Sequence, residues 1–153
     1  MNIQKEKFIE IIDSTPLVSI DLIIEGQKDT YLLGQRSNKP AQGYWFVPGG
    51  RIRKNEPLVE AFQRIAFSEL GLVLDIADSK LLGAYDHIYE DNFDSVEDIN
   101  THYVALGYMI KIPEDSLLEM DSQHTKIQWW TKRKLLDDPR VHQNTKNYFK
   151  DSI

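Results

Sequence analysis

The stretch Gly49–Leu72, GGRIRKNEPLVEAFQRIAFSELGL, decides the fold, because its two glycines lead into the clearest helical pattern of the chain. We predict a helix from about Glu56 to Leu70. Asn55 is a suitable N-cap, Pro57 is tolerated in the first turn, and Gly71 is a typical residue just after a helix end. The glycines before the helix allow a ligand to approach the backbone closely, since glycine has no Cβ.

An apolar stripe runs along this predicted helix, because Leu58, Phe62 and Ile65 recur at helical spacing. Glu69 lies on the continuation of the stripe. Either its carboxylate reaches solvent near the helix end, or it meets an arginine or a metal ion, since burying it alone would be costly. Positions 65, 68 and 69 share one face of one turn. They read Ile, Ser and Glu, so this face offers one carboxylate, which suits one hard cation completed by neutral oxygens.

Length and composition limit the class of protein. The chain has 153 residues, and we predict a single domain over 1–153 with its own core. It has no cysteine, which excludes disulfides, thiolate metal sites and cysteine nucleophiles, and we expect a cytoplasmic location. The net charge of −6 argues against nucleic acid as a partner. No apolar run is long enough to span a bilayer, so we expect no membrane partner.

The order of the predicted elements indicates the fold class. Apolar and alternating segments predict strands at 17–24, 30–36, 80–88, 102–112 and 126–131. Between and around them, helices are predicted at 3–12, 56–70, 131–136 and 141–151, and an acidic loop at 90–100. Strands interleaved with a few helices indicate an α/β (α+β) layered fold with a mixed β-sheet.

Three arginines lie near the glycine-rich bend in an otherwise acidic chain. Arg36 ends a predicted strand, Arg51 follows the glycines, and Arg64 lies on the predicted helix. Each of them alone is more simply explained as a solvated surface charge. Together they would suit the oxygens of a diphosphate, which a planar guanidinium binds well.

Several other polar residues have both a structural and a functional interpretation. Asp21 interrupts the apolar strand LVSIDLII, and it is either an ordinary edge-facing residue or a hydrogen-bonding partner for a sugar hydroxyl. His124 has a side chain whose usual pKa suits a general base near neutrality, although a lone loop histidine is more often merely solvated. Gln123 offers a neutral oxygen to a metal. His87 and His102 have equally good structural explanations.

The sequence resembles a known family over nearly its whole length. The segments STPLVSID, GQRSNKPAQGYWFVPGGRI, SELGL, YDHIYEDNF and THYVALGY, together with the Gln-His pair at 123–124, resemble GDP-mannose mannosyl hydrolases. These enzymes form a branch of the Nudix hydrolase superfamily with a shortened Nudix box. The usual box has glutamates at the slots occupied here by Ile65 and Ser68. The resemblance therefore implies a Nudix α/β/α sandwich and a site with fewer metal ligands.

The resemblance also implies a reaction. In this branch, water attacks the anomeric carbon of GDP-mannose or GDP-glucose with inversion, and GDP and a free hexose are released. One Mg²⁺ per active site assists, with Mn²⁺ as a substitute. The implied partner is a GDP-sugar substrate, and the implied assembly is a homodimer to which the N-terminal segment 1–14 contributes.

Residue roles follow from the resemblance position by position. It implies His124 as general base, Arg36 and Arg51 as residues that neutralise the departing GDP, and Arg64 as the residue that orients Glu69 and the active-site loop. It further implies substrate contacts by Asp21, Tyr103, His87 and Phe8, and Mg²⁺ ligation by the Gly49 carbonyl, Glu69 and Gln123.

Two other functions compete with this hypothesis. One is a conventional Nudix pyrophosphohydrolase that cleaves a nucleotide sugar at phosphorus, against which Ile65 and Ser68 argue. The other is a non-catalytic nucleotide-sugar sensor with a degenerate box, against which the retained Glu69, Gln123 and His124 argue.

Overall fold

A computed structural model describes residues 3–113 and 126–150 of the chain. The helices are α1 (Lys5–Ser14), α2 (Leu58–Leu70), α3 (Lys132–Asp137) and α4 (Gln143–Lys146), with single 3₁₀ turns at Ile76–Asp78 and Asn147–Phe149. The strands are β1 (Leu17–Glu25), β2 (Thr30–Gln35), β3 (Trp45–Phe46), β4 (Gly49–Arg51), β5 (Lys80–Tyr89), β6 (Thr101–Lys111) and β7 (Ile127–Thr131). No helix within these residues is long and apolar enough to cross a membrane.

Strand β1 lies at the centre of the sheet and has neighbours on both sides. It runs parallel to β6, with Asp21 opposite Gly107. On its other side it pairs antiparallel with β4, where Asp21 faces Gly49, and then with β2. Strand β5 extends the sheet beyond β6, and β3 and β7 pair with β2. The predicted mixed sheet is confirmed.

The two faces of the sheet bury different cores. On one face, Ile20, Leu22 and Ile24 of β1 pack against α2, whose Phe62 and Ile65 are almost fully buried. On the other face, the core includes β1 and β2 residues together with residues of β7, α3 and the 3₁₀ turn after α4 (Ile23, Leu33, Trp130, Leu135, Tyr148 and Phe149). Helices on both faces of a mixed sheet confirm the predicted α/β/α sandwich.

The alternation of β1 decides which face Asp21 occupies. Successive side chains of a strand point to opposite faces, so Asp21 shares a face with Leu17, Ser19 and Ile23. The structure agrees, because the apolar members of this set and Ser19 are buried, while Asp21 is only partly exposed. Asp21 therefore lies on the sheet face opposite α2, next to the residues of the α4 region.

The start of α2 differs from the prediction. The helix begins at Leu58 with Pro57 at the N-cap position, and Asn55 adopts a left-handed backbone with φ of 64° instead of capping the helix. The reason lies in Glu56, whose side chain turns back to accept a hydrogen bond from the Arg53 backbone N–H at 3.0 Å. Leu58 consequently falls in the first turn and is 42% exposed, outside the buried part of the apolar stripe.

Two shorter segments also differ from the prediction. The bend at 48–50 contains a strand, because Gly49–Arg51 pairs with β1. The predicted helix over 141–151 is divided, because Val141 forms a parallel bridge with Trp45 and α4 starts only at Gln143. His142 caps this helix by accepting a hydrogen bond from the Asn144 N–H at 3.0 Å. The short helix predicted at 131–136 is present as α3, and Thr131 caps it by accepting a hydrogen bond from the Lys134 N–H at 3.2 Å.

Candidate active site

Two pockets lie on either side of a wall that contains Gly49. The wall residues that line both pockets are Arg36, Phe46, Val47 and Gly49. We call the first the glutamate pocket, a space of about 260 Å³ that is also lined by Ser68 and Glu69 of α2. We call the second the aspartate pocket, a space of about 120 Å³ whose further lining includes Ser19, Asp21, Arg51, His87, Tyr89 and Tyr103.

The wall itself depends on glycine at position 49. A Cβ at Gly49 would collide with Oδ1 of Asp21 and would lie 2.7 Å from the Ile20 carbonyl oxygen. The hydrogen bonds from Leu22 N–H to the Pro48 carbonyl and from Ile52 N–H to the Val18 carbonyl flank this position in the β1–β4 ladder. In antiparallel pairing, Gly49 therefore occupies a non-hydrogen-bonded position and its carbonyl points away from β1.

The helix face that borders the glutamate pocket carries a single carboxylate. Ile65 is 1% exposed and belongs to the core, and a Cβ at Gly50 would lie 3.1 Å from its Cγ1. Ser68 and Glu69 are exposed and line the pocket. Within the described residues, no three His, Cys, Asp or Glu side chains cluster as a metal site. One carboxylate and an outward carbonyl fit a single hard cation that also needs neutral ligands.

Charge and burial act against each other at Glu69. Solvent reaches the residue, but the surrounding protein removes enough water to raise the pKa of its carboxyl above the ordinary value, and the positive charge of Arg36 opposes this shift. A cation in the glutamate pocket would favour the ionised carboxylate in the same direction as Arg36 does.

In the aspartate pocket, Asp21 is engaged by a tyrosine. The Tyr148 hydroxyl donates a hydrogen bond to Asp21 Oδ2 at 2.7 Å. His87, which is 4% exposed, lies beside both groups, with its Nδ1 3.7 Å from Asp21 Oδ2 and its Nε2 3.5 Å from the Tyr148 hydroxyl. The three side chains form a polar cluster in which Asp21 and His87 line the pocket and Tyr148 lies buried behind them.

Burial dominates the protonation of this cluster. It raises the pKa of Asp21 to about 7, although the Tyr148 hydrogen bond and the charge of Arg36 lower it. It lowers the pKa of His87 to about 4, so the imidazole is neutral near pH 7. Burial also raises the pKa of the Tyr103 hydroxyl, against the opposing charges of Arg51 and Arg36. The cluster therefore offers neutral hydrogen-bonding groups and one carboxyl group that titrates close to neutrality.

Arg36 stands between the two pockets and lines both. Its Nε donates to the Pro40 carbonyl at 2.8 Å, and its guanidinium lies 5.7 Å from the centre of the Phe46 ring. Its charge reaches both Asp21 and Glu69, since it lowers the pKa of each. A single guanidinium is thus positioned to serve an anionic group that spans the wall.

Arg64 of α2 supports the segment that leads from Arg51 at the end of β4 into the helix. Arg64 donates to both carboxylate oxygens of Glu56, at 2.6 and 2.9 Å, and to the Arg51 carbonyl at 2.8 Å. Among the described residues, its hydrogen bonds go to Glu56 and Arg51, whereas the family resemblance also implied that it orients Glu69. The Arg51 guanidinium lies 5.0 Å from the centre of the Phe8 ring, which brings α1 to the rim of the aspartate pocket.

The structure adds residues that the sequence did not single out. Tyr148 fell within the helix predicted at 141–151, and nothing local linked it to Asp21, which is 127 positions away. Glu56 was predicted as the start of the helix but not as the partner of Arg64, because a separation of eight residues is not the i+3 or i+4 spacing of helical ion pairs. Gln123 and His124 lie outside the described residues.

Comparisons with known proteins identify the family. A family model for the NUDIX domain matches residues 15–151. The low-salt glycan biosynthesis protein Agl8 of Haloferax volcanii is 40% identical over 126 residues, which cover 82% of this chain and 77% of that protein. The human 8-oxo-dGDP phosphatase NUDT18 is 26% identical over 120 residues, which cover 76% of this chain but only 32% of that protein.

A solved structure supports the fold independently. The MutT protein from Methanosarcina mazei Go1 superposes with a TM-score of 0.68 at 19% identity, over 89% of this chain and 92% of that one. Because the NUDIX model matches most of the chain and the Haloferax relative is 40% identical over most of both proteins, the chain belongs to the Nudix hydrolase family.

Proposed function

We propose that this Nudix hydrolase cleaves GDP-mannose and GDP-glucose at the anomeric carbon with inversion, releasing GDP and a free hexose. The observation that carries the proposal is the helix face next to the glutamate pocket, where Ile65 is buried in the core and Glu69 is the one carboxylate. Cleavage at phosphorus in this family is associated with a richer set of glutamates. A single carboxylate favours chemistry in which the metal assists a leaving group.

The two pockets suit the two halves of such a substrate. In attack at an anomeric carbon, positive charge develops on the sugar while negative charge develops on the departing diphosphate. The diphosphate would lie at the wall, where Arg36 faces both pockets, and Arg51 would assist from the aspartate pocket. Preorganised positive groups at the place where negative charge develops are an effective source of catalysis.

The sugar would occupy the aspartate pocket. Asp21 Oδ2 accepts from Tyr148, which leaves Oδ1 to accept from a sugar hydroxyl, and His87 and Tyr103 supply further hydrogen-bonding groups. The name of the Haloferax relative refers to glycan biosynthesis, and glycans are assembled from activated sugars. That name is compatible with a nucleotide-sugar substrate here.

A divalent cation, Mg²⁺ with Mn²⁺ as a substitute, completes the proposal. Glu69 and the Gly49 carbonyl, together with Gln123, would hold it beside the wall. When bound, it would stabilise the negative charge on the departing GDP as a Lewis acid. These are oxygen donors, which hard cations prefer.

His124 is the proposed general base that deprotonates the attacking water. Replacing it by glutamine keeps a hydrogen-bonding side chain but removes the base, so we expect kcat to fall by about 10²–10⁴-fold, the usual contribution of general-base catalysis. Steady-state assays between pH 5 and 9 would measure this, and the rise of the rate towards neutral pH should flatten. Near-normal activity of His124→Gln would remove this residue from the mechanism.

The bond that is cut can be tested directly. The reaction is run in ¹⁸O-labelled water with Mg²⁺ and a panel of GDP- and ADP-sugars, and the products are analysed by mass spectrometry. Label in the free hexose is the expected result, and the panel shows which sugar and base are preferred. Label in a phosphate product would instead establish a pyrophosphohydrolase, and binding without any cleavage would establish a nucleotide-sugar sensor.

The proposal includes a homodimer in which α1 takes part. Phe8 of α1 packs on Phe93 with ring centres 5.4 Å apart, and Lys5 pairs with Asp94 at 2.9 Å. These contacts and the Arg51–Phe8 contact connect α1 to the rim of the aspartate pocket. Sedimentation analysis of the full chain and of a Phe8→Ala variant tests the assembly, and a monomeric full chain would contradict it.

A further inference from the structure

The aspartate pocket depends on a residue that lies outside its lining. Tyr148 follows α4 in the 3₁₀ turn Asn147–Phe149, is 6% exposed, and reaches Asp21 with its hydroxyl at 2.7 Å. A buried tyrosine hydroxyl usually has a hydrogen-bond partner. Here that partner is a carboxylate of the candidate site, which gives the hydroxyl a second possible effect beyond stability.

The sheet contains a slot for the ring of Tyr148. Gly107 of β6 is the register partner of Asp21 on β1. A Cβ at Gly107 would lie 2.5 Å from Cε1 and 3.0 Å from Cδ1 of Tyr148. The absence of a side chain at position 107 therefore lets the ring lie against the strand next to Asp21. Any larger residue at 107 would force the ring away.

Other aromatic contacts hold the ring at a fixed angle. Tyr85 of β5 meets Tyr148 edge-on, with ring centres 4.5 Å apart, and His87 lies 5.9 Å away in a similar orientation. Edge-to-face packing of this kind is a favoured arrangement of aromatic rings. With the ring confined by Gly107, Tyr85 and His87, the direction of its hydroxyl is set by packing and not by the pocket's contents.

We propose that Tyr148 is a positioning residue, which holds Oδ2 of Asp21 through its hydroxyl and so turns Oδ1 of Asp21 towards the substrate. Oδ1 is the oxygen that a Cβ at Gly49 would strike, so it lies beside Gly49, which also lines the pocket. Gly107 contributes by leaving the space in which the Tyr148 ring sits. This inference rests on the proposed function in one respect, because it requires that a hydroxyl group of the ligand binds to Asp21.

The test is a double-mutant cycle. Tyr148→Phe keeps the ring and its packing but removes the hydroxyl, and we expect kcat/KM to fall by about 10- to 100-fold, as for loss of a hydrogen bond to a charged group. In the Asp21→Asn background, the same change should cost less than about threefold, because residues that act through one another are not additive. A purely structural role for Tyr148 would give equal losses in both backgrounds and would overturn the inference.

Two further variants separate positioning from general damage. Tyr85→Phe removes a neighbouring hydroxyl that makes no hydrogen bond to another described residue, and it should stay within about twofold of the parent. Gly107→Ala fills the slot, and it should lower kcat/KM by about as much as Tyr148→Phe does. It therefore tests the same contact independently if Tyr148→Phe folds poorly. Thermal unfolding of each protein shows whether it is folded under assay conditions. A Gly107→Ala variant with full activity would contradict the proposal.

The outcome can be distinguished from failure of the proposed function. If the wild-type protein releases hexose from GDP-mannose, the cycle is run on that reaction. If it cleaves GDP-mannose at phosphorus, or only binds it in calorimetry, the proposed function fails, and the cycle is run on that cleavage or affinity. The same non-additivity between positions 21 and 148 is then expected, and additivity overturns the inference in every case.

Discussion

The glutamate pocket and the aspartate pocket share one wall, but their carboxyl groups are supported in opposite ways. Asp21 accepts a hydrogen bond from Tyr148 and lies against His87, all within the protein. Glu69 is exposed and makes no hydrogen bond to another described residue, and Arg36 is the charge that acts on it. Hydrogen bonds within the protein organise the carboxyl group of the aspartate pocket, whereas no hydrogen bond from a described residue fixes that of the glutamate pocket.

This difference predicts how substitutions should behave on the two sides. Changes at the glutamate pocket should alter the dependence of activity on metal concentration while leaving the fold intact. Changes at the aspartate pocket and its supports should alter activity at saturating metal, and several should also alter stability, because their hydrogen bonds are buried.

The largest effect is expected from restoring the first missing glutamate of the box. Ile65→Glu would place a carboxylate at a position that is 1% exposed and packed in the α2 core. An unpaired buried charge should reduce the free energy of unfolding by about 3–5 kcal/mol. Urea unfolding followed by circular dichroism would measure this loss.

Ser68→Glu is the matched control for that change. Position 68 is exposed and lines the glutamate pocket, so the added carboxylate should change stability by less than about 0.5 kcal/mol, as surface substitutions usually do. If Ile65→Glu proved as stable as Ser68→Glu, position 65 would have to be accessible to the pocket. The argument that this helix face has room for one carboxylate only would then fail.

The next largest effect is expected at Glu69. Glu69→Gln keeps the shape but removes the charge that would hold the cation, so kcat/KM at fixed Mg²⁺ should fall by about 10²–10³-fold, as when one preorganised charge-stabilising group is lost. The Mg²⁺ concentration for half-maximal activity should rise in titrations. Asp21→Asn serves as the comparison, and it should lower activity without moving that midpoint. An unchanged midpoint in Glu69→Gln would contradict the ligand role.

A smaller effect is expected from the pair that supports the Arg51 loop. Glu56→Gln removes charge from a hydrogen-bonded pair whose Glu56 side chain is 12% exposed, and it should cost about 2 kcal/mol of unfolding free energy. Hydrogen bonding to Arg64 lowers the pKa of Glu56 from an ordinary 4.5 to about 2. The stabilisation is therefore complete above about pH 4.5 and is lost as the pH falls towards 2.

Unfolding measured from pH 7 down to pH 2 would test this prediction. The wild type should lose stability between pH 4.5 and 2 more steeply than Glu56→Gln, because the variant no longer has the group that titrates there. Glu60→Gln, an exposed change in the first turn of α2, is the control and should follow the wild type. Equal slopes in wild type and Glu56→Gln would show that this pair contributes nothing to the acid sensitivity.

Local patterns predicted most of the fold. The apolar stripe of α2 is a property of neighbouring residues, and it correctly assigned Phe62 and Ile65 to the core. Site residues near the glycines, such as Arg36 and Arg51, were also predicted, because the sequence motif around the glycines marks them. Six of the predicted site residues line the aspartate pocket, namely Asp21, Arg36, Gly49, Arg51, His87 and Tyr103.

What the sequence did not predict depends on distant or competing contacts. The start of α2 was wrong because the Glu56 side chain turns back to Arg53 and Arg64, which no helix propensity describes. Strand β4 was missed because three residues with two glycines have no strand signal until β1 pairs with them. Tyr148 was missed because its partner lies on a central strand that is far away along the chain.

The distance along the chain between the partners also has a consequence for folding. Asp21 bonds to Tyr148 across 127 positions, and Val47 N–H bonds to the Thr145 hydroxyl across 98. Contacts between distant residues form slowly, since a long loop must close before they stabilise anything. During synthesis, strands β1 and β4 leave the ribosome long before residue 148 does. The nascent chain therefore carries the glycine-rich bend and its arginines early, but it gains the Tyr148 hydrogen bond to Asp21 only after almost the whole chain has emerged.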